Sequence, residues 1–303
     1  MKPAEILRQV SPFPTRAPGM SSTESDRLSV HASVIKANVD FYKEIASTYD
    51  HYESCAFDGY LQRMLDDDLD EIARGLNAFE RPIQCLDCGG GTGNLTLKML
   101  KRGWDVTVVD ISPDMLEILQ SKVTAAGHSA RFRNASIEEF LASTDQSFHV
   151  ITFSSVLHHL FAPMEVLEQM AHRILPGGYF YSNFDPGIPS HPRWADCVSS
   201  LDTLVAKSLF DRSDILPGIA RRIRKLGKSL GSNERAVVSA GDIAEYHARS
   251  GLDDMAIVAS LERSGFQVQH KRYTAARTPF TRRLIQHLHA CFNFRIIARR
   301  INS

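Results

Sequence analysis

The sequence contains no apolar run approaching the ~18 residues that a membrane-spanning helix needs. Its start lacks the charged stretch, apolar core and cleavage site of a secretory signal. It also lacks an excess of either charge: 35 Lys and Arg stand against 35 Asp and Glu, so no global field points to nucleic acid or an anionic surface. No internal repeat is present. Cysteine is scarce, with five residues scattered at Cys55, Cys85, Cys88, Cys197 and Cys291. Cys85 and Cys88 have the C-x-x-C spacing of redox or metal sites. They fall within an expected buried strand, where residues three apart face opposite sides, so the simpler reading is two small core side chains. The expectation is a soluble, cytoplasmic protein with no membrane span and no nucleic-acid partner. Its 303 residues suffice for one large α/β domain, or a domain with an elaborate insertion.

What is present is a glycine turn at a strand end. Ile83 to Cys88 reads as a short buried strand, Gly89-Gly90-Gly91-Thr92-Gly93-Asn94 as the turn, and Leu95 to Arg102 as a helix. Such glycines let backbone N–H groups approach a ligand that a Cβ would hold off. A dinucleotide turn requires Gly or Ala at the third position of G-x-G-x-x-G, and Asn94 stands there instead. A second strand, Trp104 to Asp110, ends in an acid placed to accept ribose hydroxyls. Ser112 as N-cap and Pro113 at the first helical position then open a helix.

The string Asp87-x-Gly89-x-Gly91-x-Gly93, followed by "VDISPDML" over residues 109–116, resembles the first two motifs of the class I S-adenosylmethionine-dependent methyltransferases. The likeness extends to "FY..IA..YD" at residues 41–50, to the "S.VLHHL" string at residues 154–160, and to "R.LPGGYF" at residues 173–180. It implies a Rossmann-like α/β fold. The expected sheet has seven mostly parallel strands with helices on both faces, the last strand antiparallel, and a helical lid insertion. The resemblance also implies S-adenosyl-L-methionine as cofactor and S-adenosyl-L-homocysteine as product. Gly89, Gly91 and Gly93 would let the cofactor approach, Asp87 would orient the turn and the methionine ammonium, and Asp110 would anchor the ribose. Ile111 and Met115 would pack on the adenine, and Tyr49 would close over the methionine end. Asn134, Ala135 and Ser136 fall where many relatives carry an acid bonding the adenine amino group, and an asparagine carbonyl could accept from it instead.

Taken in order, residues 1–38 read as a loosely ordered leader, 39–184 as the cofactor-binding core with a helical cap, 185–251 as the helical lid, and 252–303 as the helix and strands that complete the sheet. Ser136 and Glu139 have capping-box spacing. Within the lid, the basic run at residues 221–228 could hold an anionic group or a partner's acidic helix, or be a solvated face whose apolar residues turn inward. His287, His289 and Cys291 do not suggest a metal, because residues two apart on a helix diverge.

Open parallel sheets bind ligands beyond the carboxyl ends of their strands, so Ser154 to His159 should face cofactor and acceptor. His158 or His159 is the candidate general base. The activity implied is direct in-line methyl transfer to an oxygen or nitrogen of a small metabolite, without metal. No D/N-P-P-Y/F string of nucleic-acid amino-methylating enzymes follows the fourth strand. Carbon methylation of a lipid-like or quinone-like acceptor, a non-catalytic cofactor-binding module, and assembly as a homodimer remain open.

Overall fold

The computed structural model describes residues 24–52, 58–188, 247, 250–276, 278–288 and 291–301. The long helix α1 (Glu24–Ile45) passes through a single turn of 3-10 helix into α2 (Tyr49–Tyr52), and α3 (Gly59–Gly75) follows. The sheet then begins: β1 (Gln84–Cys88), α4 (Thr96–Lys101), β2 (Asp105–Asp110), α5 (Pro113–Ala125), β3 (Arg131–Asn134), α6 (Ile137–Ser143) and β4 (Phe148–Ser154). After a 3-10 turn at Leu157–His159 come α7 (Pro163–Ala171) and β5 (Ile174–Pro186). The chain closes with α8 (Asp254–Arg263), β6 (Phe266–Tyr273), α9 (Pro279–His287) and β7 (Asn293–Arg300).

The strand order is β3-β2-β1-β4-β5-β7-β6, with β7 antiparallel to both of its neighbours and the β1 to β5 pairs parallel. The expected seven-stranded, mostly parallel sheet with flanking helices is therefore present. β1, β2 and β4 are buried along nearly their whole length because both faces are covered, as in a central parallel sheet. Leu86, Cys88, Phe153 and Phe180 belong to the core on one face. Cys85, Val106, Val108 and Tyr181 belong to the core on the other, beneath Leu65, Leu69 and Ile72 of α3. Cys85 and Cys88 thus lie on opposite faces, fully buried, and burial pushes both thiols well up. Among the described residues no cluster of His, Cys, Asp and Glu could hold a metal, and no helix is long and apolar enough to cross a membrane.

Local signals act as read. Ser112 caps α5 by accepting from the Met115 N–H, and Ser136 and Glu139 form a reciprocal capping box on α6. Strand five begins at Ile174, which pairs with Phe148 ahead of a register shift. One correction concerns the leader. Residues 24–38, expected to be loosely ordered, are helical, because Val30, Val34 and Ala37 bury against the domain and α1 packs on α5. Most of the expected lid, including the basic run at 221–228, lies outside the described residues.

The topology fixes where a ligand can sit. From β1 the chain winds outward through β2 and β3, then crosses back to β4 on the other side, opening a crevice at the carboxyl ends. Cys88 is level with Val109 and with Phe153, so Gly89, Asp110 and Ser154 leave their strands at one height.

Candidate functional site

A cleft opens at that height, holding about 760 Å³ of empty space counted out to its mouth. Its floor is the glycine turn, bordered by Gly89 and Gly91. The three positive-φ glycines differ in purpose. A Cβ on Gly89 would lie 2.5 Å from Val156 Cγ2, and one on Gly93 would lie 2.2 Å from Leu119 Cδ1, so both are needed for packing. A Cβ on Gly91 would meet nothing within 4 Å: its open side faces the cleft.

Asp110 lies next to that turn. One carboxylate oxygen accepts the Gly91 N–H and the other the Ser112 N–H, each at 2.8 Å. Burial pushes its carboxyl up, and these N–H donors oppose that shift. A carboxylate has about four acceptor sites, so lone pairs remain for a ligand's hydroxyls.

Of the expected site residues, Tyr49, Gly89, Gly91, Asp110, Ile111, Met115, Ala135, Ser136, Ser154 and His159 line the cleft. Asp87, Gly93, Asn134 and His158 are not part of its lining. Asp87 is buried beneath the turn, accepting from the Thr96 hydroxyl at 2.5 Å and the Thr152 hydroxyl at 2.7 Å. Burial raises its pKa to about 6 despite those donors. Asn134 spends its amide on the carbonyls of Asp110 and Ile111, tying β3 to the segment after β2.

The histidine pair divides in the same way. The buried His158 holds Asp185 through both its backbone N–H, at 3.1 Å, and Nδ1, at 2.7 Å. Asp185 is itself fully buried and accepts from the Ser182 hydroxyl. His158 stacks against His159 with ring centroids 3.9 Å apart. His159 faces the cleft, and the candidate base narrows to it. His158 and Asp185 form its backing. The His247 N–H donates to the His158 carbonyl at 2.8 Å, so the chain returning from the insertion is fastened to this segment. Between Ser154 and the histidines, Ser155 takes a left-handed conformation, φ 60°, and borders the cleft. Such strain in a non-glycine residue is held only where surrounding contacts enforce it, as the Ser155 N–H bond to the Asn183 carbonyl does here.

The sequence reading missed the roof. α1 contributes His31, Val34, Ile35, Asn38 and Tyr42 to the cleft, a spacing that puts all five on one helical stripe. The Tyr42 hydroxyl is 2.7 Å from His159 Nε2, and its ring meets Tyr49 and His159 edge-on. Just beyond Tyr49, Asp50 accepts from the Thr92 hydroxyl in the glycine turn and from Lys122 Nζ on α5, each at 2.5 Å. Lys122 also donates to the Thr92 carbonyl. That triangle fastens the end of the roof to the floor. Glu138, in the first turn of α6, is a further wall residue that the sequence did not single out.

Residues 85–178 match the family model described as a methyltransferase domain. The ubiquinone biosynthesis O-methyltransferase of Vibrio vulnificus (strain YJ016) is 31% identical over 121 residues, covering 40% of this chain and 51% of that protein. The chain spans about half the length of the curated relatives it matches. Among solved structures, the plantazolicin methyltransferase BpumL in complex with SAH aligns over 92% of this chain and 99% of its own, with TM-score 0.52 and 15% identity. The cyclase SpnF aligns over 80% of this chain and 82% of its own, with TM-score 0.50 and 13% identity. These two likenesses concern the fold. The glycine turn and the acid at the tip of β2 both lie within the stretch that matches the methyltransferase-domain model.

Proposed function

We propose that the protein uses S-adenosylmethionine to methylate a hydroxyl of a small-molecule acceptor. The observation that carries this reading is a single cleft joining the open side of Gly91, the Asp110 carboxylate and the His159–Tyr42 pair. The residues fit the cofactor: Gly91 leaves room against bare backbone, Asp110 keeps lone pairs for ribose hydroxyls, and Ile111 and Met115 offer apolar surface to a base. When bound, the cofactor supplies a methyl group made electrophilic by a positively charged sulfur.

The acceptor end belongs to the protein. His159 Nε2 is directed at a hydroxyl, that of Tyr42, at the length of a strong hydrogen bond. An acceptor hydroxyl reaching the same nitrogen would lose its proton to Nε2 as its oxygen gains the methyl group. The products are then a methyl ether and an imidazolium, and the positive charge is conserved. His158, held by Asp185, backs the His159 ring and restricts its orientation. The Vibrio vulnificus relative is an O-methyltransferase, which supports oxygen over nitrogen or carbon.

Calorimetry with S-adenosylmethionine and S-adenosylhomocysteine tests the cofactor, with Asp110→Ala expected to weaken both. Isotope-labelled cofactor offered with a metabolite extract, followed by mass spectrometry, tests the reaction. Absence of binding to either compound sinks the reading. Binding with no label reaching any acceptor would make the protein a cofactor-binding module, and label on carbon would refute the base role of His159.

A further inference from the structure

Among the described residues, two other than glycine have a left-handed backbone, Ser155 at φ 60° and Phe184 at φ 67°. Both are bonded to Asn183. The Ser155 N–H donates to the Asn183 carbonyl at 2.7 Å, and the Phe184 N–H donates to the Asn183 side-chain Oδ1 at 2.8 Å. Such a conformation is costly in a residue that carries a Cβ and persists only where its neighbours enforce it. At Phe184 the enforcement comes from β6, at the edge of the sheet. The Tyr273 hydroxyl accepts from the Phe184 N–H at 3.1 Å and donates to Asn183 Oδ1 at 2.5 Å. The Asn183 amide in turn donates to the Tyr181 hydroxyl at 2.8 Å, and that hydroxyl donates to Asp68 on α3 at 2.9 Å. All four side chains of this network are buried.

The clamp sits on a β-bulge. Ser182 lies opposite Ile296 and Asp185 opposite Phe294, so three steps along β5 match two along β7. One extra residue in a strand turns everything beyond it to the other face. Phe180 lies in the core on one face and Tyr181 in the core on the other. Strict alternation would put Phe184 with Phe180, and Asp185 with Tyr181. Instead Phe184 packs against the Tyr181 core, and Asp185 returns to the side of Ser182, accepting from its hydroxyl at 3.1 Å. That inversion is what brings the Asp185 carboxylate to the N–H and Nδ1 of His158. Resting on the reading of His159 as the base, we propose that Asn183 and Tyr273 are positioning residues for it. They hold the bulge that aims Asp185 at His158, and His158 backs the His159 ring.

Nuclear magnetic resonance of the full chain, labelled with 15N-histidine, tests this without any acceptor. In wild type the His158 Nδ1–H, donated to a buried carboxylate, should give a downfield, slowly exchanging imidazole resonance, identified by its loss in His158→Gln. Tyr273→Phe keeps the buried ring against Phe184 and removes only the hydroxyl. It should abolish that resonance and lower label transfer from S-adenosylmethionine to a metabolite extract by about tenfold, with S-adenosylhomocysteine affinity within about twofold of wild type. Phe184→Val, whose branched side chain excludes a left-handed backbone, should do the same with Tyr273 in place. Adding Phe184→Gly to Tyr273→Phe supplies a residue that takes the conformation unaided. The double variant should regain the resonance and bring transfer back to within about threefold of wild type, although it has lost the Phe184 ring and melts lower than Tyr273→Phe alone. A general loss of stability cannot produce that reversal. Absence of the resonance in wild type, its survival in Tyr273→Phe or Phe184→Val, or no recovery in the double variant overturns the proposal and leaves the cofactor reading intact. A wild type that shows the resonance but moves no label to any acceptor overturns the proposed function instead.

Discussion

Replacing single glycines in the turn separates ligand approach from packing. Gly91→Ala and Gly93→Ala each place a Cβ on a residue with positive φ, 50° and 98° respectively. That alone costs about 1–2 kcal/mol. At Gly91 nothing lies within 4 Å of the added carbon, so stability should fall by no more than this backbone strain. For a chain of this size that is a melting temperature lower by roughly 2–8 °C. At Gly93 the carbon collides with Leu119 Cδ1 at 2.2 Å, inside the core under α5. Overpacking adds about 1–3 kcal/mol, so the total loss is about 2–5 kcal/mol. Ligand binding should rank them the other way. The Gly91 methyl projects into the space where backbone and ligand meet, and S-adenosylhomocysteine affinity should drop by at least about tenfold, the equivalent of ~1.4 kcal/mol. In Gly93→Ala molecules that remain folded, affinity should stay within about threefold. Thermal unfolding and calorimetry on the same samples test the contrast. If Gly91→Ala binds like wild type, the turn does not face the cofactor and the assignment of the floor is wrong.

Tyr42→Phe keeps the ring contacts with Tyr49 and His159 but removes the hydroxyl. With only the hydroxyl's hold on the His159 ring lost, turnover should fall by about tenfold without a change in S-adenosylhomocysteine affinity, as kinetics and calorimetry would read. Asp50→Ala severs the bonds to Thr92 and Lys122 that fasten the roof. The Asp50–Lys122 ion pair is part-exposed, so unfolding temperature should barely move, while cofactor affinity falls about three- to tenfold and limited proteolysis cuts faster near residue 50. Asp87 has its folded pKa raised by burial to about 6 from the ordinary 3.8. The folded state therefore takes up the proton first as pH falls, and the burial cost, full above about pH 6, is relieved toward pH 4. Relative to Asp87→Asn, wild type should gain about 2 kcal/mol between roughly pH 7.5 and 4.5, measured by denaturant unfolding; an unchanged difference would refute the raised pKa.

The floor of the site was legible because every signal there is local. A buried apolar run, a glycine cluster, an acid at the next strand end and a Ser-Pro helix start each have one physical meaning at that spacing. The roof was not legible. On α1 the cleft-facing stripe alternates His31, Asn38 and Tyr42 with Val34 and Ile35, because it faces a polar cavity rather than a core. Composition before residue 39 therefore read as leader. Orientation was equally hidden. Adjacent histidines in a single turn point different ways, and only the Asp185 contact shows which one is withdrawn. Asp87, Gly93 and Asn134 have the residue types of ligand contacts, yet each is committed to a protein neighbour.

The division between floor and roof bears on what sets the reaction. The floor is built from strands β1, β2 and β4, whose register is locked on both sides, so it can bind but has little freedom to vary. The proposed proton acceptor comes from a short turn after β4, and its partner hydroxyl from α1, which packs on α5 and is followed by the triangle of Asp50, Thr92 and Lys122. These elements can be exchanged without disturbing the sheet, which is how one core can lie beneath a methyltransferase and a cyclase alike. Under the proposed function, the choice of acceptor falls to the Tyr42–His159 end. The contacts of Asp50 with Thr92 and Lys122 tie the segment after α1 to the glycine turn, so under that function the acceptor end and the cofactor floor are built as one unit.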